Sequence, residues 1–119
     1  MAFHNELGKK GEQIAVDFLV SEGYNILDRN FRFQKAEVDI LALKDDTLAV
    51  IEVKTRTTNS FGNPEDFVKP KQIKQLVKAV DAYVTSNDLD VEIRFDIIAI
   101  IKKGQHVKTE HIKDAFYHF

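Results

Sequence analysis

Three residues stand out for chemistry by type and spacing: Asp39, Glu52 and Lys54, which read D-x12-E-x-K. Two carboxylates brought together are hard oxygen ligands suited to Mg²⁺ or Mn²⁺. An ammonium beside them can orient a water or stabilise phosphate charge. Whether the three meet is a matter of register. Residues 36–43 (AEVDILAL) and 47–54 (TLAVIEVK) are both rich in strand-forming residues and flank the polar cluster Lys44-Asp45-Asp46-Thr47. A two- or four-residue loop centred between Asp45 and Asp46 pairs residues whose numbers sum to 91. Asp39 then faces Glu52, and Glu37 faces Lys54, with Cβ atoms about 4.5–5.5 Å apart. Carboxylates that close repel unless something neutralises them, and a divalent cation would. The plain alternative pairs Glu37 with Lys54 and leaves the other acids at a wet sheet edge. A three-residue loop would move Asp39 to the face opposite Glu52.

The elements that must position these residues follow in order along the chain. Leu7, Ile14, Ala15, Phe18 and Leu19 recur at helical spacing, which predicts a helix over 5–22 with Asn5 capping its start and Gly23 closing its end. Segment 24–33 alternates and is rich in aromatic residues, so 24–33, 36–43 and 47–54 read as three successive antiparallel strands. Strand 47–54 is apolar on both faces, which places it centrally in the sheet. A loop of about a dozen residues follows (TRTTNSFGNPED), and Pro70 opens a second helix carrying Ile73, Leu76, Val77, Val80, Tyr83 and Val84. Segment 91–101 is a long strand returning parallel to 47–54 by a right-handed crossover. After the turn Lys102-Lys103-Gly104, residues 105–112 read as a short edge strand. The order is αβββαβ with one extra β.

Several further residues are candidates for holding a phosphate backbone. Lys71, Lys74 and Lys78 share the face of the second helix opposite its apolar side, with Gln72 and Gln75 nearby. Arg32 and Lys35 alternate with Phe31 and Phe33. Arg56 follows Lys54 on the same strand face. The competing readings are a solvated lysine face, exposed bases beside core aromatics, and an ion pair of Arg56 with Glu65 or Asp66. Gly8 and Gly11 fall inside a helical pattern, where glycine permits close packing, here of helix on sheet. The four histidines lack metal-ligand spacing and read as surface residues.

Composition bounds the rest. The chain has 119 residues, 44% hydrophobic and 30% charged, the profile of one ordinary domain. With no cysteine it has no disulfide framework, no Cys-ligated metal and no thiol nucleophile. No apolar run approaches the ~20 residues of a membrane helix, and no signal-peptide core is present, so a cytoplasmic protein is expected. A net charge of −2 opposes nucleic-acid binding, but residues 54–78 carry six basic side chains against two acidic ones. Phosphate-loop, nucleophile-elbow and dinucleotide motifs are absent from the sequence.

With these residues in hand, the chain resembles a known group. D-x12-E-x-K on a hairpin, preceded by a helix with Glu12, is similar to the PD-(D/E)XK nuclease motif. The words GKKGEQIA (8–15), GYNILDRNFR (23–32), AEVDILA (36–42), VIEVKTR (50–56), FGNPED (61–66) and RFDIIAI (94–100) resemble the YraN-like bacterial family, which is regarded as endonuclease-like. Val38 stands where the motif name has proline, and Ala36 where glycine is usual. The resemblance implies an α/β restriction-endonuclease-like fold with a mixed sheet flanked by helices. It implies metal binding by Asp39, Glu52 and Glu12, the last as in related Holliday-junction resolvases, and a catalytic role for Lys54. The expected activity is Mg²⁺- or Mn²⁺-dependent cleavage of DNA, branched or damaged, with a homodimer favoured for two-strand cutting. The rival is an adaptor that keeps the fold and binds nucleic acid or protein without cutting.

Overall fold

A computed structural model describes residues 2–57 and 68–116, with side chains from Gly8 onward. Its elements are α1 (Ala2–Ser21), β1 (Asn25–Phe33), β2 (Ala36–Lys44), β3 (Thr47–Arg56), α2 (Pro70–Ser86), β4 (Glu92–Lys103) and β5 (His106–Ile112). The strands form one sheet in the order β1-β2-β3-β4-β5, antiparallel except for β3 and β4, which are parallel. This is a mixed α/β fold with an αβββαβ core and an added edge strand. Strand boundaries match the sequence reading to within two residues. Helix α1 begins three residues before Asn5, which therefore lies within the helix rather than at its cap. Among the described residues no helix is long and apolar enough to cross a membrane.

Local chemistry sets the element ends. Gly23 takes φ +91°, and Tyr24 N–H donates to Leu19 O (2.9 Å), closing α1 with backbone geometry that suits glycine. Pro70 sits at the start of α2, where its missing N–H costs nothing. Lys44 pairs with Thr47 across a two-residue turn in which Asp45 has φ +54°.

The helices cover opposite faces of the sheet. Under α2 lie Val38, Leu41, Leu48, Val50, Phe95 and Ile97, with Leu76, Ala79 and Val80 from the helix. Under α1 lie Ile40, Ala42, Ala49, Ile51, Ile98 and Ile100, with Ala15 and Leu19 from the helix. Strand β3 is thus buried on both sides, as its sequence requires. In β2 the alternation fails at one place: Val38 belongs to the α2 side and Ile40 to the α1 side, although a regular strand would put them together. Asp39 lies at that reversal.

Candidate active site

The β2–β3 ladder keeps the register whose pairs sum to 91, from Lys44↔Thr47 to Ile40↔Ile51, and ends there. Alternation of bonded pairs would next offer Val53 N–H to the Val38 carbonyl. Instead it donates to Asp39 Oδ2 (2.8 Å). The side chain of Asp39 therefore replaces a ladder bond where β2 turns away from β3. Strand β1 is irregular at the same level. Its Asn30, bracketed by Arg29↔Ile40 and Phe31↔Val38, takes φ +55°.

Glu52 is buried, and among the described residues its Oε1 has no hydrogen-bond partner. It lies close enough to Asp39 for the two carboxyls to share a proton. Burial pushes the Glu52 carboxyl up to about 9, with the Asp39 charge adding to the shift and Lys54 opposing it. Burial also raises Asp39 against the Val53 N–H, and the charges of Glu12 and Glu37 push the same way. An unpartnered carboxylate oxygen beside a second carboxyl suits a hard divalent cation, which would neutralise the pair and fill the open acceptor. The donor chemistry thus fits the metal that the sequence suggested.

The other predicted residues are distributed unevenly around this pair. Glu12 reaches the same cleft as Asp39, but its Oε1 accepts from Arg29 Nε (3.1 Å) and Asn30 Nδ2 (3.0 Å). Among the described residues no three His, Asp or Glu side chains are gathered as a ready metal cage. Gly11 brings α1 that close, since a Cβ there would collide with Thr55 Oγ1, whereas Gly8 has open space. Lys54 is half-buried on the face of Glu52. Glu37 is paired by Arg32 (2.7 Å) from β1 and not by Lys54, and Arg32 is to that extent neutralised. Arg56 Nη1 donates to Thr55 O (2.8 Å), and its alternative partners Glu65 and Asp66 fall outside the described residues.

Two clefts meet at Glu37 and Asp39. One, of about 640 Å³, opens toward α2 and is lined by Glu52, Lys35, Lys69, Lys71, Gln72 and Gln75 among others. The second, of about 590 Å³, opens toward α1 and includes Glu12, Lys9, Asn30, Arg32 and Arg56. Of the lysine stripe, Lys71 lines the first cleft. Lys78 lines a smaller hollow that adjoins this cleft at Lys35, Ala36 and Gln75, and Lys74 is exposed and lines neither space. The sequence reading had not placed Lys69, Asn30 or Thr55 at the site.

A second polar cluster lies away from the clefts. Asp96 is fully buried, takes a forked pair of bonds from Arg94 Nε and Nη2 (both 2.9 Å at best), and accepts from Asp114 N–H (3.0 Å). His111 Nε2 lies 2.8 Å from Asp96 Oδ2, and Arg94 also donates to the Tyr24 hydroxyl (2.7 Å). The His111 side chain is 7% exposed, so it is not the surface residue its spacing suggested. The missed signal was an aspartate inside the apolar run of β4, which has to find partners.

Comparison with known proteins places the chain. A model of the uncharacterised protein family UPF0102 matches residues 11–100. A UPF0102 protein of Christiangramia forsetii is 64% identical over 119 residues, covering all of both chains. One from Flavobacterium psychrophilum is 60% identical over 119 residues, again covering both fully. One from Parabacteroides distasonis is 45% identical over 117 residues, covering 98% of this chain and 97% of its own. With its core matched and its whole length shared with such relatives, the chain belongs to the UPF0102 family.

Proposed function

We propose that the protein is a divalent-metal-dependent nuclease of the PD-(D/E)XK type that hydrolyses DNA phosphodiester bonds, with branched or damaged DNA as the substrates to try first. The observation that carries this reading is the buried Glu52 Oε1, unpartnered among the described residues, beside Asp39 at a break in the sheet and at the floor of an open cleft. A structural ion pair would have filled that acceptor.

Asp39 and Glu52 would hold a Mg²⁺ or Mn²⁺ ion, with Glu12 a third ligand if it left Arg29. Such an ion lowers the pKa of bound water and stabilises a departing phosphate oxygen. Asp39 is fixed for this task by Val53 N–H, and Glu52 by burial in the α2-facing layer. Lys54 sits on the Glu52 face, where an ammonium can orient the attacking water. Lys35, Lys69 and Lys71 line the cleft with positive charge for the strand that carries the scissile bond.

The test joins binding to cleavage. Branched and linear DNA are incubated with Mg²⁺ or Mn²⁺ and with wild type, Lys54→Ala and Asp39→Asn. Trace Mn²⁺ is titrated separately into ¹⁵N-labelled protein. The reading expects metal-dependent cutting that both substitutions abolish while DNA binding persists in Lys54→Ala, and amide broadening centred on Asp39 and Glu52. DNA binding that ignores metal and both substitutions, with no cutting and no broadening at Asp39, would replace the nuclease with an adaptor.

A further inference from the structure

The β4–β5 hairpin has no part in the reading above, yet it leaves the sheet at the end where β3 carries Glu52 and Lys54. Because β3 and β4 are parallel, Glu52 stands beside Ile97 and Arg56 beside Ile101, and β4 then runs on to Lys103. Lys102 pairs with Val107 and Lys103 with His106 around a turn in which Gly104 takes φ +62°. Every residue from Lys102 to Lys108 is exposed.

Charge on this arm is of one sign, with Lys103 and Lys108 on one face of the ribbon and Lys102 on the other. Lys102, Lys103 and Lys108 form no ion pair with a described residue, and the arm's acid, Glu110, stands back beside Ala99. Lys108 shares a row with Ile101 and Arg56, so it lies on the Glu52 face, about 10 Å across the sheet from β3. Lys103 and His106 share that face by alternation. Val107 is 46% exposed, one of two large apolar side chains so placed among the described residues. Lysines on an edge strand also discourage sheet-to-sheet pairing. Lys102 and Lys103 stand past the last β3 partner, Arg56 opposite Ile101, where β4 pairs with β5 alone, so the salt dependence of DNA binding is what separates a grip from edge protection.

We propose that the β4–β5 hairpin is a cationic arm that grips a nucleic-acid phosphate backbone beside the cleft, through Lys102, Lys103 and Lys108. Five or six residues separate the Glu52 row from Lys102 and Lys103, about 17–20 Å along the strand. In duplex DNA that distance is about half a helical turn. The placement relative to the scissile bond rests on the nuclease reading, but the grip itself does not.

The experiment measures affinity in EDTA, where no cutting occurs, for a 20-base-pair duplex and a 20-nucleotide single strand at 50 and 200 mM salt. Three lost phosphate contacts reduce the salt slope by about 2.7 on duplex and about 2 on single strand. Wild type therefore loses about 40-fold more duplex affinity over that range than Lys102→Ala/Lys103→Ala/Lys108→Ala. The triple Arg variant behaves as wild type, and thermal melting shows that both variants fold. A change confined to one form of DNA identifies the backbone the arm holds. Equal affinities and slopes for the Ala variant and wild type on both forms overturn the arm. Self-association of the Ala variant with unaltered DNA binding overturns it too, assigning the lysines to edge protection. If the slope effect is found while Mn²⁺ broadening at Asp39 is absent, the arm stands and the nuclease reading falls.

Discussion

Replacing Glu52 by Gln should stabilise the metal-free protein, increasingly so as the pH rises. Burial and the neighbouring Asp39 lift the Glu52 carboxyl from 4.5 to about 9, so the folded protein holds a proton that the unfolded chain releases above pH 4.5. The resulting stability is complete below pH 4.5 and drains away as the pH rises through about 9. Each pH unit in that window costs about 1.4 kcal/mol, or roughly 3 kcal/mol by pH 7 and at most about 6 kcal/mol by pH 9. Gln keeps the shape without the charge, and its amide can donate to Asp39. The assay is thermal melting of both proteins in EDTA between pH 5 and 9. The two curves should nearly meet at pH 5 and separate steadily above it, with the variant melting about 10 °C or more higher at pH 7. Saturating Mg²⁺ or Mn²⁺ should then raise wild type, by about 2.7 kcal/mol at a hundredfold excess over Kd, and leave the variant unmoved. Parallel pH profiles in EDTA would refute the reasoning, because they would show that Glu52 ionises as readily folded as unfolded.

Other consequences are equally direct. Gly11→Ala gains about 1 kcal/mol of helix propensity but drives a methyl into Thr55, so chemical denaturation should show a net loss of about 1–2 kcal/mol, partly recovered in Gly11→Ala/Thr55→Ala. Asp39→Ala leaves Val53 N–H without its acceptor and should lose about 1–3 kcal/mol in urea unfolding, while Asp39→Asn keeps the bond and most of the stability. Asp96→Ala strands the Arg94 guanidinium and should cost about 3–5 kcal/mol. Although burial alone would raise the Asp96 carboxyl, His111, Arg94 and Asp114 N–H hold it below the ordinary range. Its contribution is therefore present above about pH 4 and lost as the pH falls through the lowered value, so melts of wild type and variant should converge in acid. Glu37→Gln breaks an exposed pair with Arg32 and should change stability by less than about 1 kcal/mol.

Most of the architecture was legible because it depends on short-range rules. Two polar residues, Asp45 and Asp46, make a two-residue turn, and that alone fixes the pairing of Ile40 with Ile51 and the neighbourhood of Asp39 and Glu52. What was hidden depends on packing between distant segments. In AEVDILAL, Val38 and Ile40 are both apolar, so the pattern gives no hint that they bury on opposite faces. The capture of Glu12 by Arg29 and Asn30 depends on how closely α1 rides over β1, which helical periodicity does not report. Spacing to the other histidines says nothing of His111, whose informative partner is Asp96 across the β4–β5 pairing.

The break at Asp39 joins the fold to the proposed chemistry. In an uninterrupted antiparallel ladder, backbone groups satisfy one another and opposed carboxylates merely repel across the sheet surface. Here β2 turns away, and the strand must find a new acceptor for Val53 N–H and a new place for the Asp39 side chain. One carboxylate oxygen meets the first need and thereby holds the side chain at the junction of the two clefts. Glu52, still in the regular part of β3, is left buried with an acceptor that no donor among the described residues fills. Folding has thus oriented one acid with backbone geometry and desolvated the other. The second arrangement opposes stability at neutral pH, and a bound cation would reverse that penalty.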